Sequence, residues 1–530
     1  MKIPTALFCL LMIMTACQEK AHYDLVIING SVLDGSGVPA VKADIAIRDG
    51  VLVKIGDLGS FIADQTIDAS GLTVSPGFID LHTHIEPIME MPDAESHVRQ
   101  GVTTALGGPD GGGPWPFGHY LDSLRDHYEL GMNVGYLVGH NTIRRKVMGN
   151  ENREPSTEEL EKMKRMVGEA MKQGAFGIST GLKYLPGAFS KTPEVIELSK
   201  VAAGLGGIYT SHLREEGLGL IAGVKEAIEI GREASIPIVL THHKAIGKPM
   251  WGASRITTAM VDSARSLGID VMMDQYPYTA SYTGLSVLFP AWALEGTEAD
   301  FKTRTETKSL KEKMLRGIVF NINNDRGGGD LSRIQFARVS WDSTLEGKTL
   351  LDYAMREGVE PTPENGASLA VDIQLKGGAS CIFHAIGEED VERIMQHPFT
   401  MHASDARLSR RGEGHPHPRA YGTFPRVLGV YVREKEILTL EEAIRKMTSL
   451  PASRLGLTDR GLVKEGYAAD LTVFDAGRVK DRATFEQPHQ YPVGIEWVVV
   501  NGHVVVQEGK LTGNRGGQVL RGPAYQRGQD

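Results

Sequence analysis

Short runs of apolar and β-branched residues alternate along most of the chain with longer segments in which apolar residues recur at helical spacing. A run of four or five such residues between turn signals is typical of a strand buried on both faces, as in parallel sheets. Eight runs occur, at residues 77–81, 102–106, 134–138, 175–179, 207–210, 237–240, 269–273 and 398–401. Eight strands that alternate with helices predict an α/β fold, a (β/α)8 barrel of the TIM type.

The segment "STEELEKMKRMVGEAMKQG" shows how clearly the helices between these runs are marked. Ser156 and Glu159 form a capping box, and Gly174 stands where a helix C-terminal cap belongs. Leu160, Met163 and the apolar residues that follow fall on one face. We therefore predict an amphipathic helix here.

The two ends of the chain have a different pattern, in which apolar and polar residues alternate as in half-buried strands. Asn29-Gly30 and Asp49-Gly50 are typical of hairpin turns. We expect residues 23–76 and 455–513 to pair as one small β-sandwich domain beside a barrel of residues 77–454. Residues 283–370 interrupt the barrel pattern and contain "NNDRGGGD", so we expect an insertion there that covers the site as a lid.

The first residues have the anatomy of a secretory signal, with Lys2, an apolar run over 6–14 and the tetrapeptide "MTAC". Thr15 and Ala16 before Cys17 resemble a bacterial lipobox, which predicts a lipoprotein-type signal peptide over 1–17. The alternative is an ordinary signal peptide with an incidental cysteine. Either implies export, and the lipobox predicts a periplasmic protein that touches the membrane through a lipid anchor only.

Composition narrows the possible partners. The 57 Lys and Arg residues against 66 Asp and Glu residues give a formal net charge of -9, and no basic run offsets that balance. Nucleic acid is therefore not an expected partner. Cys9 and Cys17 belong to the signal region, so Cys381 is left without a second thiol and an internal disulfide is not expected.

Residues able to hold a metal follow the predicted barrel strands. In a barrel the carboxyl ends of the strands converge on one pocket, so residues far apart in the sequence meet there. His82 and His84 are two apart in extended chain and point the same way. The full set is His82, His84, Asp110, His212, His242 and Asp405. Histidines and carboxylates in this arrangement predict a metal site.

Other histidines fall outside this set. His243 should point away from the pocket by strand alternation, although it neighbours His242. His384, His415 and His417 remain ambiguous, and the "HPHPRAYG" segment is interpreted as a loop near the pocket. Cys381 is interpreted as a buried apolar residue.

Several motifs resemble one known family. "PGFIDLHTHIE" is similar to the first-strand signature of the amidohydrolase superfamily. "YTSHLREEG", "THHKAIGK", "DQYPYTAS", "STGLKYLPGAFS" and "PRAYGTFPRVLG" resemble the D-aminoacylase, or N-acyl-D-amino-acid deacylase, branch. The resemblance extends from about residue 23 to residue 505. It implies a zinc-dependent hydrolase that cleaves the amide of a small N-acylated D-amino acid, with a flanking β-sandwich.

The resemblance also implies residue roles. His212 and His242 match the histidines of a tightly held zinc, and His82 and His84 match a pair that holds a weaker second metal. Asp405 matches the catalytic aspartate that moves the proton. The positions that hold the substrate carboxylate correspond to Lys244 and Tyr276, and Tyr184 lines the same pocket.

One position departs from the family. D-aminoacylases have a cysteine ligand a few residues after a Gly-x-Thr-Thr segment, and Asp110 of "GVTTALGGPDGGG" stands in its place. A carboxylate is also a metal ligand, but a harder one, which makes Mn²⁺, Fe²⁺ or Co²⁺ possible beside Zn²⁺. The alternative is that Asp110 only caps the glycine turn.

Two other functions stay open. Another amidohydrolase, such as a dipeptidase or cyclic amidase, would need a carbamylated lysine at the fourth strand, where Lys183 lies past the strand end. A lipid-anchored binding protein with a decayed metal site is the non-catalytic alternative.

Overall fold

The structure is a computed structural model that describes residues 20–526. The predicted signal peptide, with Cys17, lies outside the described residues. Within them, no helix combines the length and apolar character needed to cross a bilayer.

The strands, numbered in chain order, supply both a barrel and a separate sheet. They are β1 (Ala21–Val32), β2 (Val41–Arg48), β3 (Val51–Gly56), β4 (Phe61–Asp68), β5 (Thr73–Pro76), β6 (Phe78–Asp80), β7 (Val102–Gly107), β8 (Asn133–Tyr136), β9 (Val138–Gly139), β10 (Gly177–Gly181), β11 (Ile208–His212), β12 (Ile238–Leu240), β13 (Val271–Gln275), β14 (Ser281–Gly284), β15 (Ile334–Arg338), β16 (Ser380–Phe383), β17 (Thr400–His402), β18 (Leu471–Phe474), β19 (Ile495–Val500), β20 (His503–Gln507) and β21 (Lys510–Leu511).

The α-helices lie mostly between barrel strands. They are α1 (Glu95–Val98), α2 (Phe117–His127), α3 (His140–Met148), α4 (Thr157–Lys172), α5 (Thr192–Ala203), α6 (Leu220–Ala234), α7 (Ser254–Ser266), α8 (Glu298–Glu306), α9 (Lys308–Asn321), α10 (Leu350–Arg356), α11 (Pro363–Leu375), α12 (Glu388–Gln396), α13 (Arg419–Arg426), α14 (Leu440–Met447) and α15 (Ser449–Leu455). The predicted capping box of Ser156 and Glu159 is confirmed at the start of α4.

The barrel strands form two parallel sheets, β6-β7-β8 and β9-β10-β11-β12-β13-β17. Each of the eight predicted runs overlaps at least one of these strands, and the third run overlaps both β8 and β9. The two sheets meet beside β6, where the Asp405 amide donates to the His82 carbonyl at 2.9 Å and the His84 amide to the Ala406 carbonyl at 2.7 Å. These bonds bring the end of β17 next to the end of β6, and the predicted barrel fold is confirmed.

Strands from both chain ends share one nine-stranded sheet in the order β21-β20-β19-β18-β5-β1-β2-β3, with β4 paired to β1. The two halves join where β5 and β18 run antiparallel, with Leu471 opposite Pro76. Asp49 and Gly50 have positive φ and connect β2 to β3 as a hairpin turn. Asn29-Gly30 is different from the prediction, because it lies inside β1 at an irregularity of the β1–β2 register instead of at a turn.

A cluster of buried polar side chains joins this sheet to the barrel. Asp470 accepts hydrogen bonds from the Asn133 side chain at 3.0 Å and from the backbone N–H of Asn501 at 2.7 Å, and it pairs with Arg460. The side chain of Asn501 also donates through Nδ2 to Asn133 Oδ1 at 2.7 Å. We call Asn133, Arg460, Asp470 and Asn501 the junction cluster.

The segment between β13 and β17 is longer than the predicted insertion of 283–370. It contains the antiparallel sheet β14-β16-β15 and helices α8 to α11, around a separate apolar core. Residues 281–383 therefore form the unit, because its first and last strands pair with Ser281 opposite Phe383. Cys381 is buried in this core, as predicted.

The chain continues after β21 across the amino-terminal end of the barrel. The Gly517 amide donates to the Leu130 carbonyl at 2.7 Å, and the Leu520 amide to the Val134 carbonyl at 2.8 Å. Farther on, the Gly522 amide donates to the Gly174 carbonyl at 2.8 Å. This final segment lies at the opposite end of the strands from the predicted metal residues.

Candidate metal centre

The six predicted metal and catalytic residues meet at the carboxyl ends of the barrel strands. We call this set, formed by His82, His84, Asp110, His212, His242 and Asp405, the strand-end cluster. All but His84 are buried or nearly so. Five of the six, the exception being the buried His82, line a cavity of about 440 Å³.

The ligand atoms of this cluster fall into two groups that share Asp110. One group contains His82, His84, Asp110 and Asp405, and the other contains Asp110, His212 and His242. Within each group the candidate ligand atoms lie within 4.8 Å of one another. The chain therefore offers two adjacent metal positions with one common carboxylate.

Asp110 lies between four imidazoles. Its Oδ1 is 3.5 Å from His82 Nε2 and 3.4 Å from His242 Nε2. Its Oδ2 is 3.7 Å from His84 Nε2 and 3.6 Å from His212 Nδ1. Two ligand atoms on one tetrahedral zinc are separated by roughly 3.4 Å, given metal–ligand distances of about 2.0–2.1 Å. These separations suit atoms that share a metal better than atoms that bond directly to each other.

Buried polar atoms in the strand-end cluster support the same interpretation. Within residues 20–526, both ring nitrogens of His82, Asp110 Oδ1 and His212 Nε2 are buried without a hydrogen-bond partner. Leaving several such atoms unsatisfied is costly unless something else binds them. Imidazole nitrogens and carboxylate oxygens are ligands that zinc accepts, so the residues present fit this metal.

The turn amides beside Asp110 are satisfied by other groups. The Gly111 amide donates to Ser179 Oγ at 3.1 Å, and the Gly112 amide donates to the Pro109 carbonyl at 2.9 Å. The Asp110 carboxylate is consequently directed at the histidines and does not cap these two amides. This geometry favours the ligand interpretation over the turn interpretation.

Three cluster residues have backbone φ angles in the left-handed region, at 54° for Asp110, 36° for His242 and 49° for Asp405. Non-glycine residues seldom adopt this conformation, and such strain concentrates at functional sites. Gly111 beside Asp110 has φ of 74°, and a Cβ there would lie 2.1 Å from Asn141 Oδ1. The close approach explains a glycine at this point of the turn.

The carboxylate of Asp110 and the imidazole of His242 each stabilise the charged form of the other. Burial opposes ionisation of Asp110, but His242, His82 and His212 outweigh it and hold the pKa of the carboxyl well below its usual range. Burial and Lys244 oppose protonation of His242, yet Asp110 and Glu216 raise its pKa to about 10. The cluster thus provides an ionised carboxylate surrounded by groups that attract negative charge.

Asp405 has a charged partner that the sequence analysis missed. Arg419 Nη1 donates to Asp405 Oδ2 at 2.7 Å, while Asp405 Oδ1 faces His84 Nε2 at 3.4 Å and His82 Nε2 at 3.6 Å. Burial would raise the pKa of Asp405, but Arg419 and His242 keep it well below its usual range. The arginine lies in the "HPHPRAYG" segment, which was predicted to be a loop. Only residues 415–418 are irregular there, because Arg419 begins helix α13.

The three predicted substrate-binding residues also line the cavity. Tyr276 Oη is buried and has no hydrogen-bond partner in the described part of the chain. Tyr184 Oη accepts from Thr283 Oγ1 at 3.1 Å. Lys244 Nζ contacts Glu216 Oε1 at 2.5 Å, so its charge already has a partner. Glu216 also lines the cavity, and the sequence analysis missed it.

His243 and the three ambiguous histidines lie apart from the two metal groups. His243 is buried and pairs with Thr257 Oγ1 at 2.8 Å, on the side away from the cavity. His417 contacts the Ala280 carbonyl, and His415 contacts the Phe485 carbonyl. His384 lies 3.3 Å from the Gln335 side chain. Lys183 pairs with Glu215 at 2.9 Å, away from both metal groups.

Comparison with known proteins decides the family. The profile of the amidohydrolase family matches residues 65–237 and 357–506, and that of the urease alpha-subunit N-terminal domain matches residues 11–76. This chain belongs to the amidohydrolase family. The gap between the two matched parts of the first profile overlaps the insertion, which is where this amidohydrolase carries its extra sheet and helices.

Full-length relatives place this amidohydrolase in the D-aminoacylase branch. D-aminoacylase of Alcaligenes xylosoxydans xylosoxydans is 35% identical, covering 95% of this chain and 98% of the relative. N-acyl-D-glutamate deacylase of the same organism is 37% identical, with 95% and 97% coverage. The predicted resemblance is confirmed, and this amidohydrolase is an enzyme of the N-acyl-D-amino-acid deacylase type.

A solved structure agrees in fold. N-acyl-D-glutamate deacylase from Bordetella bronchiseptica, complexed with zinc and a phosphonate inhibitor that mimics the tetrahedral intermediate, has a TM-score of 0.80 and 35% identity. The alignment covers 94% of this chain and 100% of the other. The barrel and the β-rich unit of this amidohydrolase therefore have a close structural counterpart.

Proposed function

We propose that the protein is a zinc-dependent hydrolase that cleaves the amide bond of N-acyl-D-amino acids. The observation that carries the proposal is the sharing of Asp110 by two groups of ligand atoms at the base of the cavity. The printed activities of the full-length relatives support the substrate class.

The metal would be held by the residues of the strand-end cluster. His212, His242 and Asp110 would form the tighter position, and His82, His84, Asp110 and Asp405 the second, so one or two ions fit. Bound there, zinc supplies Lewis-acid activation of a water molecule and of the scissile carbonyl. Because Asp110 replaces a thiolate with a harder ligand, Mn²⁺, Fe²⁺ or Co²⁺ are possible substitutes.

Asp405 is the proton-transfer group of the proposal. Arg419 holds one of its oxygens, which leaves Oδ1 directed at the imidazoles of His82 and His84. Asp405 would take a proton from the attacking water and deliver it to the leaving nitrogen, which otherwise would have to depart as an amine anion.

Lys244, Tyr276 and Tyr184 would orient the substrate from the cavity wall. Tyr276 Oη can donate a hydrogen bond to the substrate carboxylate, and the ammonium of Lys244 adds a positive charge nearby. Holding this remote carboxylate in register should raise turnover as well as affinity, because it fixes the scissile amide against the reacting groups.

The test is hydrolysis of paired N-acyl-D- and N-acyl-L-amino acids by purified protein of measured metal content. We expect release of the D-amino acid, with activity that chelation removes and zinc restores. Hydrolysis of dipeptides or cyclic amides in place of these substrates would favour another amidohydrolase activity. Metal-free protein that binds but does not cleave the panel would favour a binding protein.

For cellular location we propose export and lipid attachment through Cys17, on the basis of Lys2, the apolar run and "MTAC". The mature protein should partition with membranes and face the periplasm. Mass spectrometry of the mature N-terminus is the check, and an unlipidated Cys17 or an intact residue 1 would contradict this proposal.

A further inference from the structure

The carboxylate of Glu216 lies behind the two histidines of the proposed tighter metal position. It follows β11 in the "TSHLREEG" segment, four residues after His212, and is 4% exposed. Glu216 Oε1 is 3.1 Å from His242 Nδ1, and Oε2 is 3.6 Å from His212 Nε2. One buried carboxylate thus faces both imidazoles.

The two nitrogens of each imidazole face in different directions. His242 Nε2 and His212 Nδ1 are 2.7 Å apart and point toward Asp110, at 3.4 and 3.6 Å. These are the nitrogens placed to bind metal. The opposite nitrogens, His242 Nδ1 and His212 Nε2, are the ones that face Glu216.

This arrangement matters because a neutral imidazole has one nitrogen with a free lone pair and one that carries hydrogen. A histidine that binds metal usually donates its other N–H to a carboxylate or carbonyl, which fixes its tautomer and its ring orientation. Glu216 is the acceptor in the right position for His242, and it is the nearest carboxylate on the far side of His212.

We propose that Glu216 is a positioning residue that orients His212 and His242 for metal binding. The inference rests on the metal-centre part of the proposed function. It adds that the affinity of the tighter position depends on a residue that does not itself touch the metal.

Lys244 extends the same arrangement toward the substrate. Its Nζ lies 2.7 Å from His242 Nδ1. If His242 carries hydrogen on Nδ1, both atoms are donors and cannot bond to each other. Lys244 must then donate to other acceptors. These are Glu216 Oε1 at 2.5 Å and the His242 carbonyl at 2.8 Å. Glu216 therefore connects the lysine predicted to hold the substrate with the histidines predicted to hold the metal.

The experiment compares Glu216→Gln and Glu216→Ala with Glu215→Gln as the matched control. Glu215 is the preceding residue, but its carboxylate pairs with Lys183. Zinc dissociation constants are measured by competition with a chromophoric chelator, and thermal unfolding is measured in the presence of chelator. We expect zinc binding about 10–100-fold weaker in the Glu216 variants, with Glu215→Gln within about twofold of wild type.

A second measurement separates positioning from stability. Raising free zinc should restore most of kcat in Glu216→Gln, because mass action refills the weakened position. Wild-type zinc affinity in Glu216→Gln, with or without a lower Tm, would overturn the inference. If Glu216→Ala does not fold, the glutamine variant decides. Wild-type protein that binds no zinc would instead defeat the proposed metal centre itself, and the inference with it.

Discussion

The strand-end cluster and the junction cluster are both buried, polar and assembled from distant parts of the chain, yet they differ in how their atoms are satisfied. In the junction cluster, Asp470 receives bonds from Asn133 and Asn501 and pairs with Arg460. In the strand-end cluster of the described chain, atoms of His82, Asp110 and His212 lack partners. Satisfied buried polar groups hold two units together, whereas unsatisfied ones facing a cavity indicate a ligand that the protein is built to bind.

The largest expected effect separates activity from stability within the strand-end cluster. Asp405→Asn should keep the fold and the metal of the tighter position, which Asp405 does not join. Asparagine still offers Arg419 an oxygen, but it cannot accept the proton. We expect kcat to fall by about 10²- to 10⁴-fold, the usual contribution of general acid–base catalysis. Steady-state kinetics with zinc analysis of the same sample provide the measurement. Near-native turnover would remove Asp405 from the proposed role.

Asp110 tests whether the unsatisfied atoms really mark a metal position. Asp110→Ala should lose tightly bound metal and activity together, because His212 and His242 alone provide too few ligands. Asp110→Cys should keep zinc while weakening the use of manganese or cobalt, which favour oxygen donors more than zinc does. Metal analysis and activity with each ion are the measurements.

Asp110→Asn is the control for this pair, since an amide oxygen can still accept hydrogen bonds in a turn. Under the ligand interpretation it should bind metal more weakly than wild type. Full metal occupancy in both Asp110→Ala and Asp110→Asn would restore the turn interpretation and make the two clusters alike.

The junction cluster should show the opposite behaviour. Asp470→Ala leaves Arg460 as a buried charge without its partner, which should lower the free energy of unfolding by about 3–5 kcal/mol. Zinc affinity should stay within about twofold of wild type. Urea unfolding and chelator competition measure the two quantities. Asp459→Ala is the matched control, because it also removes a carboxylate near Arg460, but Asp459 is exposed and its Oδ1 lies 3.7 Å from Arg460 Nε. A loss of zinc binding in Asp470→Ala would contradict the distinction between a structural junction cluster and a metal-binding strand-end cluster.

His402 sharpens the comparison as an exception, because both of its ring nitrogens are buried without partners in residues 20–526, yet it does not line the cavity. Burial, helped by Lys446, lowers its pKa to about 3, from 6.5 in the unfolded chain. Between about pH 6.5 and pH 3, His402 is therefore protonated in the unfolded state but neutral in the folded state. The stability that neutral His402 contributes is lost as the pH falls through this range.

His402→Leu should consequently make stability less sensitive to acid. Between pH 6 and pH 4 the slope of unfolding free energy against pH should decrease by up to about 1.4 kcal/mol per pH unit, the equivalent of one proton. Urea unfolding of chelator-treated protein at several pH values is the measurement. An unchanged slope would show that His402 is not the group being protonated.

Much of this molecule follows from local patterns. The eight barrel strands are short buried runs, and the ligand residues follow them directly, so the barrel geometry alone predicts that His82, Asp110 and His242 converge. Glu216 lies on an irregular segment after β11, and Arg419 is the first residue of the short helix α13. The position of each depends on packing around the cavity, so no periodicity identifies them. The sequence shows that Glu216 follows His212 by four residues, but it does not show that the Glu216 carboxylate faces the imidazole.

The limits of the insertion and the role of Asn29-Gly30 were also hard to predict from the sequence, because both depend on distant strand pairing. Strand β16 pairs with β14 across almost the whole insertion, and such long-range pairing leaves no local signal. Asn29-Gly30 has the composition of a hairpin turn, but β1 continues through it because both sides find partners, in β2 and in β4 and β5.

The shared sheet has a consequence for the order in which the chain is made. β1 to β5 are synthesised first, but β5 pairs on one side with β1 and on the other with β18, which follows the entire barrel. Until β18 emerges, one edge of the earliest strands stays open, and open strand edges invite pairing between chains. The nascent protein should therefore need shielding by chaperones for nearly the full length of its synthesis, and shortening it before β18 should yield aggregates instead of a smaller folded barrel.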